Sequence, residues 1–472
     1  MSSELDTAVN PLERPLTGSH WVCGECVTES ELQRRVRTEG VPGWCNVCGR
    51  NGARVTLDEL ASWIDPVYRQ MYQPGPYIPC FPKYGGDRPD YEQEGDSPSW
   101  ILQGLVGIDV ELAEALVSIL SDRDWTAFRD GEDSYYDEGA SYTKIDSPST
   151  FYYDLWCTFE QRIKHGRRFH DEEAISLLNE MFAELETLAA DSGQPHIKVL
   201  SPGDAEARLY RARLAQNADE ADEFGRSPAI HLAPPPADKR SGGRLNAPGI
   251  AVFYGAFDPE TCIAEIRPPV GSWLVVAAFE PTRELRLLDL TAFSNSPPAG
   301  SPFASGHIDA VERWRFLRTF HSIVSTPVLP HEEALRYVTT QVVAEYTENV
   351  LKLDGLIYAS AQMGGVAVPE DEDEPPEVLS QDRCNVALFS AQECIELGAK
   401  DGVQPSDAAP VSPAWMNPSF GLESLVPAKR APTLRYVDGT ALVHHVAAVT
   451  YATHAQSPRP EPQSLDSAQL DF

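Results

Sequence analysis

Leu209-Tyr210-Arg211-Ala212-Arg213 opens a window that continues through Ser241-Gly242-Gly243-Arg244-Leu245-Asn246-Ala247-Pro248-Gly249 and Ala251-Val252-Phe253-Tyr254 to Thr261-Cys262-Ile263-Ala264-Glu265. Far downstream, Asp354-Gly355-Leu356-Ile357-Tyr358-Ala359-Ser360 precedes Asn385-Val386-Ala387-Leu388-Phe389. Ala207 to Leu214 alternates as a strand, and Ile250 to Ala256 is rich in β-formers. Asp258 to Ile266 reads as a short helix with Asp258 as N-cap and Pro259 at the first helical position. Trp273–Phe279 and Glu284–Asp289 read as strands, Ile308–Ile323 and Glu332–Leu351 as helices, and Leu356–Ala359 and Val386–Phe389 as short buried strands. The polar, Pro-rich stretch 217–240 reads as a loop over a site. The pattern predicts an α+β fold.

An early arginine, a central glutamate and a late serine in this order and context resemble the RES-domain family, named for those three residue types. The resemblance covers roughly residues 205–395. It implies an ADP-ribosyltransferase-like mixed β-sheet split around an NAD cleft, with NAD as the substrate. Known members are phosphorolytic enzymes that release nicotinamide and ADP-ribose 1''-phosphate, often as toxins restrained by antitoxins. Phosphate is thereby implied as a co-substrate, and an antitoxin or regulatory protein as a partner. Carried onto this chain, the family residues are Arg211, Tyr254, Glu265 and Ser360 as the catalytic set; beside them, Arg244, Asn246 and Asn385 read as substrate contacts from their own residue types and context.

The residue types suit that chemistry. Nicotinamide in NAD is a positively charged pyridinium and hence a good leaving group, so cleavage of its bond to ribose develops oxocarbenium character that a carboxylate such as Glu265 can stabilise. A guanidinium fork at Arg211 or Arg244 matches phosphate oxygens, and Gly242-Gly243 lets backbone approach them. Tyr254 would stack on nicotinamide or bond the ribose, Ser360 would orient the ribose, and Asn385 would support it. Arg213 shares strand parity with Arg211 and competes for its role. Hydrolysis of NAD, ADP-ribosyl transfer to a protein, and a non-catalytic binding module are the alternatives.

Upstream, Cys23-Gly24-Glu25-Cys26 and Cys45-Asn46-Val47-Cys48 are two CxxC knuckles separated by eighteen residues, the spacing of a four-cysteine structural zinc site. The other five of nine cysteines are scattered, which fits reduced thiols better than a disulfide framework. Thr56-Leu57-Asp58-Glu59 reads as a helix start, Trp100–Leu120 as one buried helix, and 74–98 and 122–147 as irregular. Thr150–Lys164 and Glu172–Ala190 read as two further helices. This block resembles the HEPN-like region fused to some RES domains, through Trp156-Cys157-Thr158-Phe159-Glu160-Gln161-Arg162-Ile163-Lys164-His165-Gly166-Arg167-Arg168-Phe169. HEPN ribonucleases place His four to six residues beyond Arg; here seven residues separate Arg162 from His170, which argues against ribonuclease activity.

The expected division is a disordered 1–18, a zinc ribbon over 19–55, a helical HEPN-like domain over 56–190, a linker over 191–204, the RES domain over 205–395, an extension over 396–455 and a disordered tail over 456–472. In the extension, Asp438-Gly439 between apolar stretches signals a β-hairpin. Glu370-Asp371-Glu372-Asp373-Glu374 marks an acidic solvated insertion over 369–382. The net charge of −33 disfavours nucleic acid and anionic membrane as partners. No long apolar run or signal-peptide pattern is present, so a cytoplasmic location is the default expectation. The oligomeric state is not readable from the sequence.

Overall fold

The structure is a computed structural model that describes residues 15–80, 90–127, 135–136, 139–145, 150–183, 185, 188, 195–294, 297–329, 331–363, 383–389, 395–396 and 432–450. The tail over 456–472, the insertion over 369–382 and residues 1–14 lie outside the described residues. Among the described residues, no helix is long and apolar enough to cross a membrane.

The N-terminal region opens with β1 (Trp21–Cys23), α1 (Ser30–Glu39), β2 (Val41–Trp44) and β3 (Asn51–Thr56), the strands forming an antiparallel sheet in the order β1-β3-β2. Thr56 then caps α2 (Leu57–Met71): its hydroxyl accepts the Glu59 amide at 3.1 Å, as the Thr-x-x-Glu start predicts. There follow β4 (Tyr72–Pro74), β5 (Tyr77–Cys80), β6 (Asp90–Gln93), α3 (Pro98–Leu102), α4 (Val110–Ala127) and β7 (Tyr142–Lys144). The stretch expected to be a loop over 74–98 therefore contains an antiparallel strand pair, β5–β6. The single helix expected over Trp100–Leu120 is broken. A π turn at Gln103–Gly107 ends with Gly107 at φ 69°, and the Gly107 and Val106 carbonyls accept the amides of Thr28 and Glu29 at 3.0 and 3.1 Å. The apolar spacing spans the break because both halves pack on one core. Val22, Val36, Leu60, Ile64, Tyr68, Leu112 and Leu116 belong to that core, so the cysteine-bearing ribbon and α2–α4 fold as one body.

The second body begins with α5 (Thr150–His165), α6 (Glu172–Met181), β8 (Ile197–Leu200) and β9 (Leu209–Ala215). It continues with α7 (Ala218–Arg226), α8 (Pro228–His231), β10 (Phe253–Ala256), α9 (Pro259–Ile266), β11 (Trp273–Pro281) and β12 (Leu285–Asp289). It ends with α10 (His307–Ser325), α11 (Glu333–Asn349), β13 (Gly355–Ala359), β14 (Cys384–Leu388), β15 (Ile395–Glu396), β16 (Leu434–Tyr436) and β17 (Leu442–His445). Its ten-stranded mixed sheet runs β15-β16-β11-β9-β10-β14-β13-β12-β8, with β17 also on β11. The β12–β13 and β15–β16 pairs are parallel and the others antiparallel. One face packs against α5, α6, α10 and α11 through Trp156, Phe159, Phe182, Phe316, Phe320 and Val343. The other packs against α7 and α8 through Phe224, Leu232, Phe253 and Phe279. The molecule is α+β, as the sequence predicts.

Three expectations within this body are corrected. The stretch 217–240 is not a plain loop: Asn217 caps α7 by accepting the Glu220 amide at 2.9 Å, and Ala221 and Phe224, one turn apart, bury their side chains on the sheet. The stretch 191–204 carries β8, an edge strand paired with β12. Asp438-Gly439 forms a turn, with Gly439 at φ 77°, but not a hairpin. Both β16 and β17 pair with β11, at Phe279–Pro281 and Trp273–Val276 respectively. Between them, Val437 donates its amide to the Ala278 carbonyl at 2.9 Å, and the Thr440 hydroxyl accepts the Ala278 amide at 3.1 Å. The turn is thus a bulge in one edge strand, after which the chain resumes its course along the same neighbour.

The helices α5 and α6, which the sequence reading grouped with the preceding helical block, share their apolar core with α10 and α11. Arg313 of α10, buried at 5 % exposure, reinforces this with hydrogen bonds to the Tyr152 hydroxyl at 2.9 and 3.1 Å and to the Ala183 carbonyl at 3.1 Å. Where the two bodies meet, Phe303 packs against the N-terminal core.

Candidate active site

The Asp258 carboxylate caps α9 by accepting the Thr261 amide at 2.8 Å, with Pro259 following as predicted. The helix ends at Arg267 in the left-handed conformation, φ 50°. Glu265 sits in its last turn, exposed to solvent. The other members of the expected set come from the ends of two strands. Ser360 directly follows β13, and Asn385 lies in β14 opposite Tyr358. The Ser360 hydroxyl donates to Glu265 Oε1 at 2.5 Å, and Asn385 Nδ2 donates to the same oxygen at 2.9 Å. Ser360 and Asn385 are both buried, at 1 % and 3 % exposure, so two fixed dipoles hold one oxygen of a carboxylate whose body faces solvent. Among the described residues, Glu265 Oε2 receives no hydrogen bond, which leaves it for a ligand.

Tyr254 alternates onto the same sheet face as Asn385, across the Tyr254–Ala387 and Ala256–Asn385 register. Its hydroxyl is spoken for: it donates to Asn246 Oδ1 at 2.8 Å and accepts the Leu245 amide at 2.9 Å. Burial pushes its pKa up, opposed by that amide and by the charges of Arg244 and Arg211. Asn246 is buried too, and its Nδ2 reaches the carbonyls of Ser241, Ala247 and Ile250 at 3.0–3.1 Å. The segment 241–250 is therefore a loop wound on one asparagine side chain, with the tyrosine plugged into it. Gly243 is required here, because a Cβ would lie 2.7 Å from Asn246 Oδ1 and 2.9 Å from the Tyr254 hydroxyl. Asn246, expected as a substrate contact, has its side chain committed to these loop carbonyls and to the Tyr254 hydroxyl.

Arg244 has a comparable commitment. Its Nη1 donates to the carbonyls of Val324 and Thr326, the latter at 2.7 Å, at the C-terminal end of α10, where unsatisfied carbonyls attract cations. Its guanidinium also lies 5.3 Å from the Tyr337 ring centroid. From α11, Thr340 donates to the Arg244 carbonyl at 2.5 Å and Gln341 to the Gly243 carbonyl at 2.8 Å.

Strand parity puts Arg211 with Leu209 and Ala215 on the Phe253 face, and its guanidinium stacks 4.9 Å from the Phe253 ring. Its positive charge opposes the burial that pushes the Cys262 thiol up to about 12 and the burial that raises the Tyr254 pKa. Arg213, the competitor, donates to the His231 carbonyl and stacks 4.4 Å from Phe224, so it fastens α7 and α8 to the sheet.

Three residues of this neighbourhood escaped the sequence reading. Tyr358 and Tyr337 have pKa values raised by burial, with Glu265 raising and Arg244 lowering both. His321 of α10 is fully buried, and its Nε2 accepts the Ala359 amide at 3.0 Å. Its signal was present: Trp314, Leu317, His321 and Val324 form one buried helical stripe, and a histidine in such a stripe needs a partner.

In the N-terminal ribbon the four sulfurs of Cys23, Cys26, Cys45 and Cys48 lie within 4.8 Å of one another, with Sγ···Sγ distances of 3.9, 3.5 and 3.8 Å for Cys23–Cys26, Cys23–Cys48 and Cys26–Cys45. Zn–S bonds of about 2.3 Å imply tetrahedral edges of about 3.8 Å, so the donor set fits that ion. The Cys45 sulfur accepts the Cys23 and Cys48 amides at 3.3 and 3.5 Å. Its pKa is lowered, chiefly by the Cys26 hydrogen bond and further by these amides. The basic cluster at the end of α5 is partly internal: Arg162 pairs with both oxygens of Asp171, the N-cap of α6, at 3.0 and 2.8 Å.

No curated protein and no solved structure matches the chain. Residues 208–398 match the family model described as the RES domain, a family linked in general to NAD-acting enzymes. The segment 208–398, which carries Arg211, Tyr254, Glu265, Ser360 and Asn385, is a RES domain, and N-terminal to it lie four cysteines whose sulfurs could hold a metal ion.

Proposed function

We propose that this protein degrades NAD by phosphorolysis, releasing nicotinamide and ADP-ribose 1''-phosphate, in a toxin-like or defence-related role. The observation that carries this reading is the Glu265 carboxylate, held at Oε1 by Ser360 and Asn385 and open at its other oxygen. As the bond between ribose and the pyridinium nitrogen breaks, its electron pair goes to nicotinamide, which leaves neutral without an external acid. Positive charge builds on the ribose, and a carboxylate fixed beforehand stabilises it without reorganising. A phosphate oxygen then closes the new bond to the ribose carbon. Arg211 supplies positive charge for the diphosphate or the incoming phosphate, and the Tyr254 ring, its hydroxyl tied to the loop, offers a face for stacking. The four cysteines would hold a zinc ion, which would staple the N-terminal ribbon, because a four-thiolate set leaves no open position for catalysis.

The test is incubation of the purified protein with NAD, with and without phosphate, read by mass spectrometry. Nicotinamide together with ADP-ribose 1''-phosphate, formed only with phosphate, is the expected result. ADP-ribose formed regardless of phosphate would replace phosphorolysis with hydrolysis, and intact NAD in both would reject the reading.

A further inference from the structure

The end of β13 poses a hydrogen-bonding problem. β12 runs parallel to β13 only as far as the Asp289–Ile357 pair, and then turns into a 3-10 segment at Leu290–Ser294. On the other side, β14 continues: Ala359 pairs with Cys384, and the Ser360 amide donates to the Arg383 carbonyl at 3.0 Å. Successive amides of a strand point to opposite sides, so the Ala359 amide faces the side that β12 has left. His321 Nε2 takes that amide at 3.0 Å, in the place a strand carbonyl would occupy. An accepting Nε2 requires the proton on Nδ1, and Nδ1 lies 3.3 Å from the hydroxyl of buried Ser294. The next residue along the chain is Ser360, whose hydroxyl holds Glu265 at 2.5 Å.

We propose that His321 is a positioning residue: through Ser294, His321 and the Ala359 amide, α10 fixes the end of β13 and so sets the Ser360 hydroxyl on Glu265. The imidazole acts as a permanent acceptor. Burial lowers its pKa to about 3, so it stays neutral across the working range and its acceptor is not lost by protonation. Its consequence for turnover rests on the NAD reading above, whereas its consequence for the backbone does not.

The test compares His321→Leu, which fills the space without an acceptor, with His321→Gln, whose amide oxygen reaches the place of Nε2. Hydrogen exchange of the segment 355–363 and NAD turnover are both measured. In the Leu variant, exchange at Ala359 is expected to rise about tenfold or more. Its kcat should fall about tenfold with KM changed less than about twofold, and the Gln variant should recover most of both losses. Ser294→Ala keeps the ring but removes the partner of Nδ1; it should shift both readouts the same way by a smaller factor, and it serves if the Leu variant does not fold. Unchanged exchange in the Leu or Ala variant, or a Gln variant no better than Leu, would overturn the proposal. Absence of turnover in the wild-type protein would instead reject the NAD reading and leave the exchange result to decide the role of His321.

Discussion

Glu265, Ser360 and Asn385 meet at one carboxylate oxygen, and the polar groups of the neighbouring loop are shared out among fixed partners. Arg244 and Asn246 stand in a Gly-rich loop beside a tyrosine, a context that reads as a ligand grip. In the fold, Asn246 saturates three loop carbonyls and Arg244 binds the last carbonyls of α10, because buried backbone groups need partners before any ligand arrives. A measurement separates the two roles of Arg244. Arg244→Ala is expected to lower stability by about 1–3 kcal/mol, the loss of a charge-assisted pair of hydrogen bonds, seen as a fall in melting temperature. Its kcat for NAD should fall with the loosened loop while KM stays nearly constant. A large rise in KM with an unchanged melting temperature would restore the phosphate grip.

At the scale of elements, periodicity found what one face of burial dictates. Asp258-Pro259 marked the start of α9, Thr56 the start of α2, and the strands β9 to β14 appeared near their observed limits. The misses share a cause: local signals were read without the neighbour that overrides them. Asp438-Gly439 carries the signal of a hairpin, yet the unpaired edge of β11 offers carbonyls and amides on both sides of the turn, and the chain returns to it. Gly107 breaks the helical pattern at a point that no periodicity of Leu and Ile can mark, since the reason lies in the docking of Thr28 on its backbone. The apolar stripe of α10 marks His321 as needing a partner, but which group it takes is set by the truncated neighbour strand, which periodicity does not mark.

For the whole molecule, the two bodies differ from the expected division in one consequential way. Trp156, Phe159 and Phe182 pack around Phe316 and Phe320, so α5 and α6 belong with the sheet in packing terms. Deleting residues 1–195 would strip that face, and the loss of several aromatic partners, each worth about 3–5 kcal/mol, exceeds the stability of a typical domain. That truncation should be insoluble, while deletion of residues 1–146 should yield a soluble RES body with a cooperative melt; equal behaviour of the two in expression and melting would contradict the shared core. The charge of −33 makes the cationic groups at the site all the more significant for an anionic substrate, since they must act against the field of the whole chain. The most direct test of the central claim is the rate of nicotinamide release from NAD by Glu265→Gln, beside the wild-type protein. The amide keeps the shape of the side chain and an oxygen for Ser360 and Asn385, but removes the charge. A fall in kcat of about a hundredfold or more, with the melting temperature unchanged, is the predicted result. Wild-type turnover in the Gln variant would contradict the account.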